Sequence, residues 1–170
     1  MKLIISRMTL EDVSAVVELD RISFSLPWPE RSFRFELTDN PASRCWVAEF
    51  DGKIVGMIVV WLIVEEAHVA TLATHPDFRR KGIAKRLLSH TLRHMIGEGA
   101  QSSFLEVRAS NLPAQELYRK FGYEESGIRR RYYKDNDEDA ILMTLESLKA
   151  EQLMFDLRPS TLDKEEQNER

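Results

Sequence analysis

The sequence predicts a single α+β domain, in which a mixed, mostly antiparallel central sheet carries helices on both faces. Three observations lead to this fold class. The 170 residues are 43% hydrophobic and 31% charged, which is sufficient for one compact core. Two neighbouring strand-like segments are joined by Asp51-Gly52, the dipeptide most typical of a tight antiparallel hairpin. Later strand-like segments alternate with amphipathic helices, as strand-helix-strand crossovers do.

The elements follow from local signals taken in chain order. After a strand at residues 2–5, Thr9 stands at the N-cap position of a first helix. Pro29-Glu30 begins a second helix, and Asn40-Pro41 ends it, because proline suits a first turn and stops a helix. The remaining predicted strands cover residues 44–50, 53–64, 68–74, 103–107, 123–132 and 140–145, and the remaining helices cover residues 82–96 and 111–122.

The sequence predicts one domain followed by a tail. Residues 1–146 are expected to form the domain, with no repeat and no second domain. Residues 147–170 are expected to form a C-terminal tail that is partly helical and then disordered. The basis is composition, because residues 151–170 hold six acids and three bases, with few apolar residues after Leu157.

Composition excludes several classes of protein. The formal net charge is −4, from 24 Lys and Arg against 28 Asp and Glu, which disfavours a globally basic nucleic-acid binder. The single cysteine, Cys45, can form neither an internal disulfide nor a thiolate zinc site. The longest apolar run, residues 54–64, is too short to span a bilayer, and the N-terminus lacks a secretory signal pattern. We therefore expect a cytoplasmic protein that binds neither membrane nor nucleic acid. We also expect a monomer.

No metal site is expected. His90 and His94 lie one helical turn apart, which is a spacing that can chelate a metal ion. However, no third ligand is indicated, and two exposed histidines are the commoner case.

A basic turn between a predicted strand and the third helix carries the strongest chemical signal. Residues 79–94 hold six bases and no acids: Arg79, Arg80, Lys81, Lys85, Arg86 and Arg93. Cations at a helix N-terminus oppose the helix dipole, whereas a phosphate would bind both the cations and the first backbone N–H groups. The turn matches neither a Walker loop nor a dinucleotide fingerprint. It predicts a phosphate-bearing small ligand, and the alternative is a solvated basic surface.

At this turn the sequence resembles a known family. Residues 79–84, Arg-Arg-Lys-Gly-Ile-Ala, match the Gln/Arg-x-x-Gly-x-Gly/Ala turn of the GCN5-related N-acetyltransferases. The wider match is to the RimI branch, which acetylates the N-terminal alanine of ribosomal protein S18, and it covers about residues 1–146. It is carried by a Phe-x-x-Pro-Trp-like loop at residues 24–28 and by residues 105–111, 114, 117–118, 121–123, 127–133 and 138–143.

The resemblance implies a sheet that splays between its middle strands, with acetyl-CoA in the gap. The backbone of Leu72, Ala73 and Thr74 would pair with the pantetheine amides as an added strand does. The pyrophosphate would lie on the backbone of Arg80, Lys81, Gly82, Ile83, Ala84 and Lys85. Asn111 would also hold the cofactor, although an ordinary N-cap is the alternative for this residue.

The resemblance also implies two catalytic residues and direct attack of an amine on the thioester. Glu106 would be the general base, acting through water, and Tyr118 would protonate the departing CoA thiolate. The alternatives are a solvent-facing strand carboxylate and a core tyrosine. A carboxylate is a weak base for an ammonium group unless burial raises its pKa or the amine deprotonates readily. An N-terminal amine, with a pKa of about 7.7–8.0, deprotonates more readily than lysine, at about 10.4.

The acceptor side is expected to recognise the N-terminus of ribosomal protein S18 or similar protein N-termini. The candidate walls of a peptide slot are Phe24, Leu26, Trp28 and the Tyr132-Tyr133 pair, with capping of the core as the alternative. Trp28 and Tyr132 are the preferred walls. Asp135, Asp137 and Glu138 could attract a basic peptide, or be solvated loop charges. Other functions consistent with the sequence are broader Nα-acetylation, acetylation of a small amine, and noncatalytic acyl-CoA sensing. A sensor would normally have lost Glu106 or Tyr118.

Overall fold

The computed structural model describes residues 2–157, with side chains described for residues 2–153. Seven strands form one sheet in the order β1-β2-β3-β4-β5-β7-β6. The elements are β1 Leu3–Arg7, α1 Val13–Ser23, α2 Glu30–Thr38, β2 Ser43–Phe50, β3 Lys53–Ile63, β4 Glu66–Thr74, α3 Ile83–Gly97, β5 Ser102–Arg108, α4 Leu112–Phe121, β6 Glu124–Tyr133 and β7 Glu138–Leu145. The predicted fold class and element order are confirmed; several boundaries coincide with the predicted ones, and the others differ by a few residues.

The first helix begins differently from the prediction. Thr9 precedes a short 3₁₀ turn, Leu10–Asp12, which leads directly into α1. The Thr9 N–H donates to Asp12 Oδ2 at 2.7 Å, so the two residues cap the turn that orients the helix.

Helices cover both faces of the sheet. The helices α1 and α2 pack on one face around Val16, Phe33 and Met57, and α3 and α4 pack on the other around Leu92 and Leu105. Successive side chains of a strand point to opposite faces. In β5, Leu105 and Val107 are therefore buried with α3 and α4, whereas Glu106 points to the side of α1 and α2.

The strands β4 and β5 are parallel neighbours over only part of their length. Their register runs from Glu66 opposite Ser102 to Val69 opposite Leu105. Two buried hydrogen bonds stabilise this paired part. Tyr123 OH donates to Ser103 Oγ at 2.6 Å, and Ser103 Oγ donates to the Ala67 carbonyl of β4 at 2.7 Å.

Beyond Val69 the two strands separate, and Ala70 forms a bulge in β4. Val60 faces Val69 and Val59 faces Thr71, so Ala70 is the extra residue. The separation confirms the splayed sheet that the resemblance implied, and it opens a gap in the middle of the domain.

The described part of the predicted tail packs on the domain. Leu148 and Leu153 are 9% and 1% exposed and belong to the core cluster beside α3. Ser89 Oγ donates to the Leu153 carbonyl at 3.0 Å, at the 3₁₀ segment Ala150–Leu157. The disordered part of the prediction falls on residues 158–170, outside the described residues, and a domain boundary at residue 146 stays a prediction. Among residues 2–157, no helix is long and apolar enough to cross a membrane.

Candidate active site

A cleft of about 200 Å³ lies where β4 and β5 separate. Side chains from six parts of the chain line it, so the fold rather than any one segment creates the site. Five of the sequence-predicted site residues are among its lining residues: Trp28, Leu72, Glu106, Asn111 and Tyr118.

The β4 edge in the gap exposes backbone polar groups. His75 N–H donates to the Val55 carbonyl of β3 at 2.8 Å. Because backbone polar groups alternate in direction along a strand, those of Leu72 and Thr74 point into the gap and those of Ala73 point to β3. Leu72 and Thr74 can therefore pair with an extended ligand, whereas the predicted pairing through Ala73 does not fit this geometry.

The basic turn lies at the start of α3 and has an unusual backbone. Arg80 and Gly82 have φ values of +62° and +81°, a region that glycine adopts readily and arginine does not. The first helical hydrogen bond is donated by Arg86 N–H to the Gly82 carbonyl at 3.0 Å. The N–H groups of Ile83 and Ala84 precede it and lie at the positive end of the helix dipole.

This turn is pressed against the sheet at Gly56 of β3. A Cβ atom at Gly56 would lie 2.8 Å from Ile83 Cγ2 and 2.9 Å from Leu87 Cδ1. The absence of a side chain at Gly56 thus lets the first turn of α3 sit directly on β3, next to the gap. The turn has both the amides and the positive charge that a pyrophosphate needs.

Glu106 is partly buried and has two partners. Its side chain is 15% exposed, with Oε2 at 3.2 Å from His68 Nε2 and Oε1 at 3.8 Å from Arg129 Nη2. The hydrogen bond with His68 lowers the pKa of Glu106 and outweighs burial, which raises it. The carboxylate is therefore ionised at neutral pH. Because the net effect of its surroundings is a lowered pKa, Glu106 is a weak base and suits an amine that deprotonates readily.

Tyr118 and Asn111 lie on α4, on the opposite side of the gap from the Glu106 carboxylate. Tyr118 is 8% exposed, and burial raises its pKa well above the ordinary value, so the hydroxyl keeps its proton at neutral pH. Asn111 is the N-cap of α4, and its Oδ1 accepts from Ala114 N–H at 3.3 Å. This capping hydrogen bond uses the side-chain oxygen of Asn111. The side-chain NH2 group can still donate hydrogen bonds to a ligand.

The acceptor side is built around Trp28. Its ring stacks on Trp61 with centroids 6.5 Å apart and contacts Phe33 at 5.4 Å. The backbone N–H of Trp28 donates to Asp20 Oδ2 at 2.6 Å, so a buried carboxylate of α1 holds the loop that ends at Trp28. Burial raises the pKa of Asp20.

Of the two adjacent tyrosines, Tyr133 lines the cleft and Tyr132 does not. The register of β6 shifts between Arg129 and Tyr133, with Arg131 at a φ of +51°. This irregularity leaves Tyr132 41% exposed, with its ring edge against Tyr133 at 5.2 Å. The structure therefore places Tyr133 at the position that the sequence analysis assigned to Tyr132.

The structure also bears on the expectation that acidic residues of the β6–β7 turn attract a basic peptide. Arg108 pairs with Asp135 at 3.0 Å and with Glu138 at 3.2 Å, and its guanidinium lies 4.0 Å from the centre of the Tyr133 ring. Two of the three acids are thus paired with one arginine of β5, which compensates one of their two negative charges. Their role in the structure is to hold Tyr133 and the β6–β7 turn beside the cleft.

His90 and His94 form no recognisable metal site. Their rings are 4.7 Å apart and pack against Trp46. Burial and the neighbouring positive groups lower the pKa of His90 to about 4. In the part of the chain that the structure describes, no group of three or more His, Cys, Asp or Glu could hold a metal ion.

Sequence reasoning missed two residues at the site, Asp20 and His68, and it preferred Tyr132 over Tyr133. Asp20 falls four residues after Val16 on the buried stripe of α1, so an acid on an apolar stripe was a usable signal. His68 gave no comparable signal, and the choice between the two tyrosines had none, because both depend on which residues of distant strands lie side by side.

The splayed mixed sheet, the basic amide turn and the cleft between β4 and β5 define the N-acetyltransferase fold. The chain belongs to the acetyltransferase (GNAT) family, whose pattern matches residues 13–123. It is 38% identical over 142 residues to a Bacillus subtilis relative, covering 84% of this chain and 94% of that protein.

Two further comparisons concern a protein that is named as an alanine N-acetyltransferase of ribosomal protein S18. The chain is 32% identical over 152 residues to the Escherichia coli [ribosomal protein bS18]-alanine N-acetyltransferase, covering 83% of this chain and 95% of that one. The crystal structure of the Escherichia coli ribosomal-protein-S18-alanine N-acetyltransferase superposes with a TM-score of 0.79 at 30% identity, covering 87% and 96% of the two chains.

Proposed function

We propose that this protein transfers the acetyl group of acetyl-CoA to the N-terminal alanine of ribosomal protein S18. The observation that carries the proposal is the cleft itself, in which Glu106 and Tyr118 line one gap from opposite sides, next to an amide turn suited to pyrophosphate. The similarity to the S18-alanine N-acetyltransferase of Escherichia coli supports this choice of acceptor.

The residues of the gap fit acetyl-CoA. The N–H groups at the start of α3 and the nearby lysine and arginine side chains would hold the pyrophosphate. Leu72 and Thr74 direct backbone polar groups toward pantetheine, although the Thr74 carbonyl also accepts a hydrogen bond from Arg79 Nε at 3.4 Å. Asn111 presents its side-chain amide from the N-cap of α4. When bound, acetyl-CoA supplies a thioester carbonyl that is reactive toward amines.

The acceptor amine would enter from the side of α1 and α2, where Trp28 and Tyr133 line the cleft. Glu106 would remove its proton, directly or through one water, and so free the nitrogen lone pair for attack. Tyr118, which is protonated at neutral pH, would donate to the departing sulfur from the other side. Holding the amine and the thioester in a reactive geometry supplies much of the rate acceleration, and no covalent enzyme intermediate is required.

A peptide series tests the acceptor. We expect thiol release from acetyl-CoA with a peptide that begins with the alanine-first sequence of S18, and much slower release when only the first residue is changed. An N-terminally blocked peptide with an internal lysine should be inactive, because only about one lysine in a few thousand is neutral at pH 7. Equal rates with that lysine peptide would contradict the proposal, and equal rates with every first residue would indicate broader Nα-acetylation.

Two conservative variants test the catalytic assignments. Glu106→Gln and Tyr118→Phe keep the shape of each side chain and remove one proton-transfer group. Each is expected to lower kcat by about 10²–10⁴-fold, the usual contribution of a positioned acid or base, with little change in acetyl-CoA affinity. A variant that retains wild-type kcat would remove that residue from the mechanism.

A further inference from the structure

The carboxylate of Asp20, on α1, has one oxygen in use and one without a partner. Oδ2 accepts from the backbone N–H of Trp28 at 2.6 Å, whereas Oδ1 is buried and has no hydrogen-bond partner. The whole residue is 1% exposed. Burial raises the pKa of Asp20, the Trp28 hydrogen bond lowers it, and no cation contributes. A buried carboxylate oxygen with neither donor nor counter-charge is costly, so a ligand group that supplied both would bind there favourably.

This oxygen belongs to a residue of the cleft. Asp20 lines the cleft together with Glu106 and Tyr118. Glu106 points to the face of the sheet that α1 and α2 cover, which is also the face of Asp20. Both carboxylates therefore lie on the acceptor side of the cleft, and Tyr118 of α4 lies on the other side.

The loop that follows α1 leaves room for a ligand to reach Asp20. Phe24 and Leu26 of this loop line the same cleft, and they are 37% and 48% exposed. Exposed side chains change rotamer within picoseconds to nanoseconds, so they can move aside for a narrow chain end. Trp28 is fixed by its ring contacts with Phe33 and Trp61 and keeps the backbone of the loop in place.

The chemistry of the site selects a protonated primary amine. An N-terminal amine has a pKa of about 7.7–8.0, so at pH 7 it is mostly an ammonium group with three N–H donors. The two oxygens of Glu106 already have His68 and Arg129 as neighbours, at 3.2 Å and 3.8 Å. An amide or hydroxyl would give Asp20 a donor but no compensating charge, whereas an ammonium group gives both.

We propose that Asp20 Oδ1 binds the N-terminal amine of the acceptor and, with Glu106, orients it for attack. The inference deepens the proposed function and rests on it. The arriving ammonium group donates one N–H to Asp20 and another to Glu106. When Glu106 removes one proton, the electron pair of that N–H bond stays on nitrogen and two N–H bonds remain. One of them keeps its hydrogen bond to Asp20, which takes up no proton, and the lone pair faces the thioester.

Asp20→Asn separates the two oxygens. The asparagine oxygen can still accept from the Trp28 N–H, which places the amide NH2, a donor, where Oδ1 stood. We expect kcat/KM for the alanine-first peptide to fall by about tenfold or more, because one charged hydrogen bond is lost. The Kd of acetyl-CoA should change by less than about twofold, and Tm should stay close to the wild-type value.

Two results of this variant would overturn the proposal. If Asp20 only holds the loop, Asp20→Asn retains the wild-type kcat/KM for the peptide. If kcat/KM falls together with an equal loss of acetyl-CoA affinity, the substitution has damaged the whole cleft.

Glu36→Gln is the matched control, because it makes the same change in another buried helical acid. Glu36 is 8% exposed on α2 and does not line the cleft. Its Oε2 accepts from Trp61 Nε1 at 2.8 Å and from Asn40 Nδ2 at 2.9 Å, and the glutamine oxygen can keep these bonds. We expect peptide kinetics within about twofold of the wild type. A loss equal to that of Asp20→Asn would overturn a specific role for Asp20.

A binding measurement without turnover tests the contact itself. With coenzyme A in place of acetyl-CoA, two peptides are titrated by calorimetry: the alanine-first S18 sequence, and the same sequence with a propionyl group in place of alanine, which lacks only the amine. In the wild type, loss of the amine should raise Kd by about tenfold or more. In Asp20→Asn, the ratio of the two Kd values should shrink by about threefold or more.

The binding results distinguish this inference from the proposed function. An equal ratio in the wild type and in Asp20→Asn would overturn the amine site, as would a wild type that does not discriminate between the two peptides. If the ratio shrinks as expected but the wild type acetylates no S18 peptide, the amine site stands and the proposed transfer fails.

Discussion

Replacing Gly56 by alanine would push the start of α3 away from the sheet. The new Cβ would lie 2.8 Å from Ile83 Cγ2, 2.9 Å from Leu87 Cδ1 and 3.3 Å from the Ala73 carbonyl oxygen. Leu87 can rotate its methyl away, but Ile83 is branched at Cβ, is 1% exposed, and has few alternative rotamers. The clash therefore falls on the backbone of the first turn of α3, which we assign to the pyrophosphate.

Overpacking of this kind costs about 1–3 kcal/mol in unfolding free energy. For a chain of this length, such a loss lowers Tm by about 2–12 °C. A displacement that weakens a single backbone hydrogen bond to the pyrophosphate, worth about 1 kcal/mol, would raise the Kd of acetyl-CoA roughly fivefold. Thermal unfolding and calorimetric titration with acetyl-CoA measure the two effects separately.

Gly97→Ala is the matched control, because it makes the same change at the other end of the same helix. A Cβ at Gly97 would meet no atom within 4 Å, and alanine favours a helix over glycine by about 0.5–1 kcal/mol. We expect Gly97→Ala to keep the wild-type Kd and to retain or raise Tm. If Gly56→Ala matched the wild type in both Tm and Kd, the reasoning that Gly56 seats the phosphate turn would be refuted.

Three further predictions concern other parts of the molecule. Cys45 is 5% exposed on β2, and burial raises its pKa, so Cys45→Ala should retain most of kcat; complete loss would contradict direct attack. Asp20→Ala removes the acceptor of the Trp28 N–H, so the unfolding free energy should fall by about 1–3 kcal/mol and the KM for peptide should rise, with acetyl-CoA affinity unchanged; an unchanged peptide KM would show that the loop needs no such anchor. Hydrogen bonds from Ser110 lower the pKa of Glu138 from 4.5 to about 2, so this carboxylate stabilises the fold above about pH 4.5 and ceases to do so as the pH falls toward 2. The Tm of Glu138→Gln should fall less steeply over that range, and an equally steep fall would assign the acid sensitivity to other groups.

Predictions that used local signals agree best with the structure. The Asp51-Gly52 hairpin, the Asn111 cap of α4 and the glycine at the start of α3 are all found where the sequence placed them. Each depends on residues within a few positions of one another, whose conformational preferences act in any context.

Predictions that required neighbours across the sheet agree less well. The analysis chose Tyr132 as a wall of the cleft, but an irregularity in β6 turns Tyr133 to that position instead. It also considered Asp135 and Glu138 as charges that could attract a peptide, whereas both form ion pairs with Arg108, which lies 27 and 30 residues earlier in the chain. A register shift reverses the face of every following side chain, and nothing in the local sequence reveals it.

By itself, the sequence determined the order of strands and helices, the basic turn and, through its resemblance to a family, Glu106 and Tyr118 as the residues of interest. Only the tertiary structure decided what surrounds them. His68 is 38 residues from Glu106 along the chain and reaches it because β4 and β5 run in parallel up to Val69 and then diverge. Local propensity is encoded within a few residues, but the partner that tunes a carboxylate is chosen by strand pairing, which the whole core stabilises.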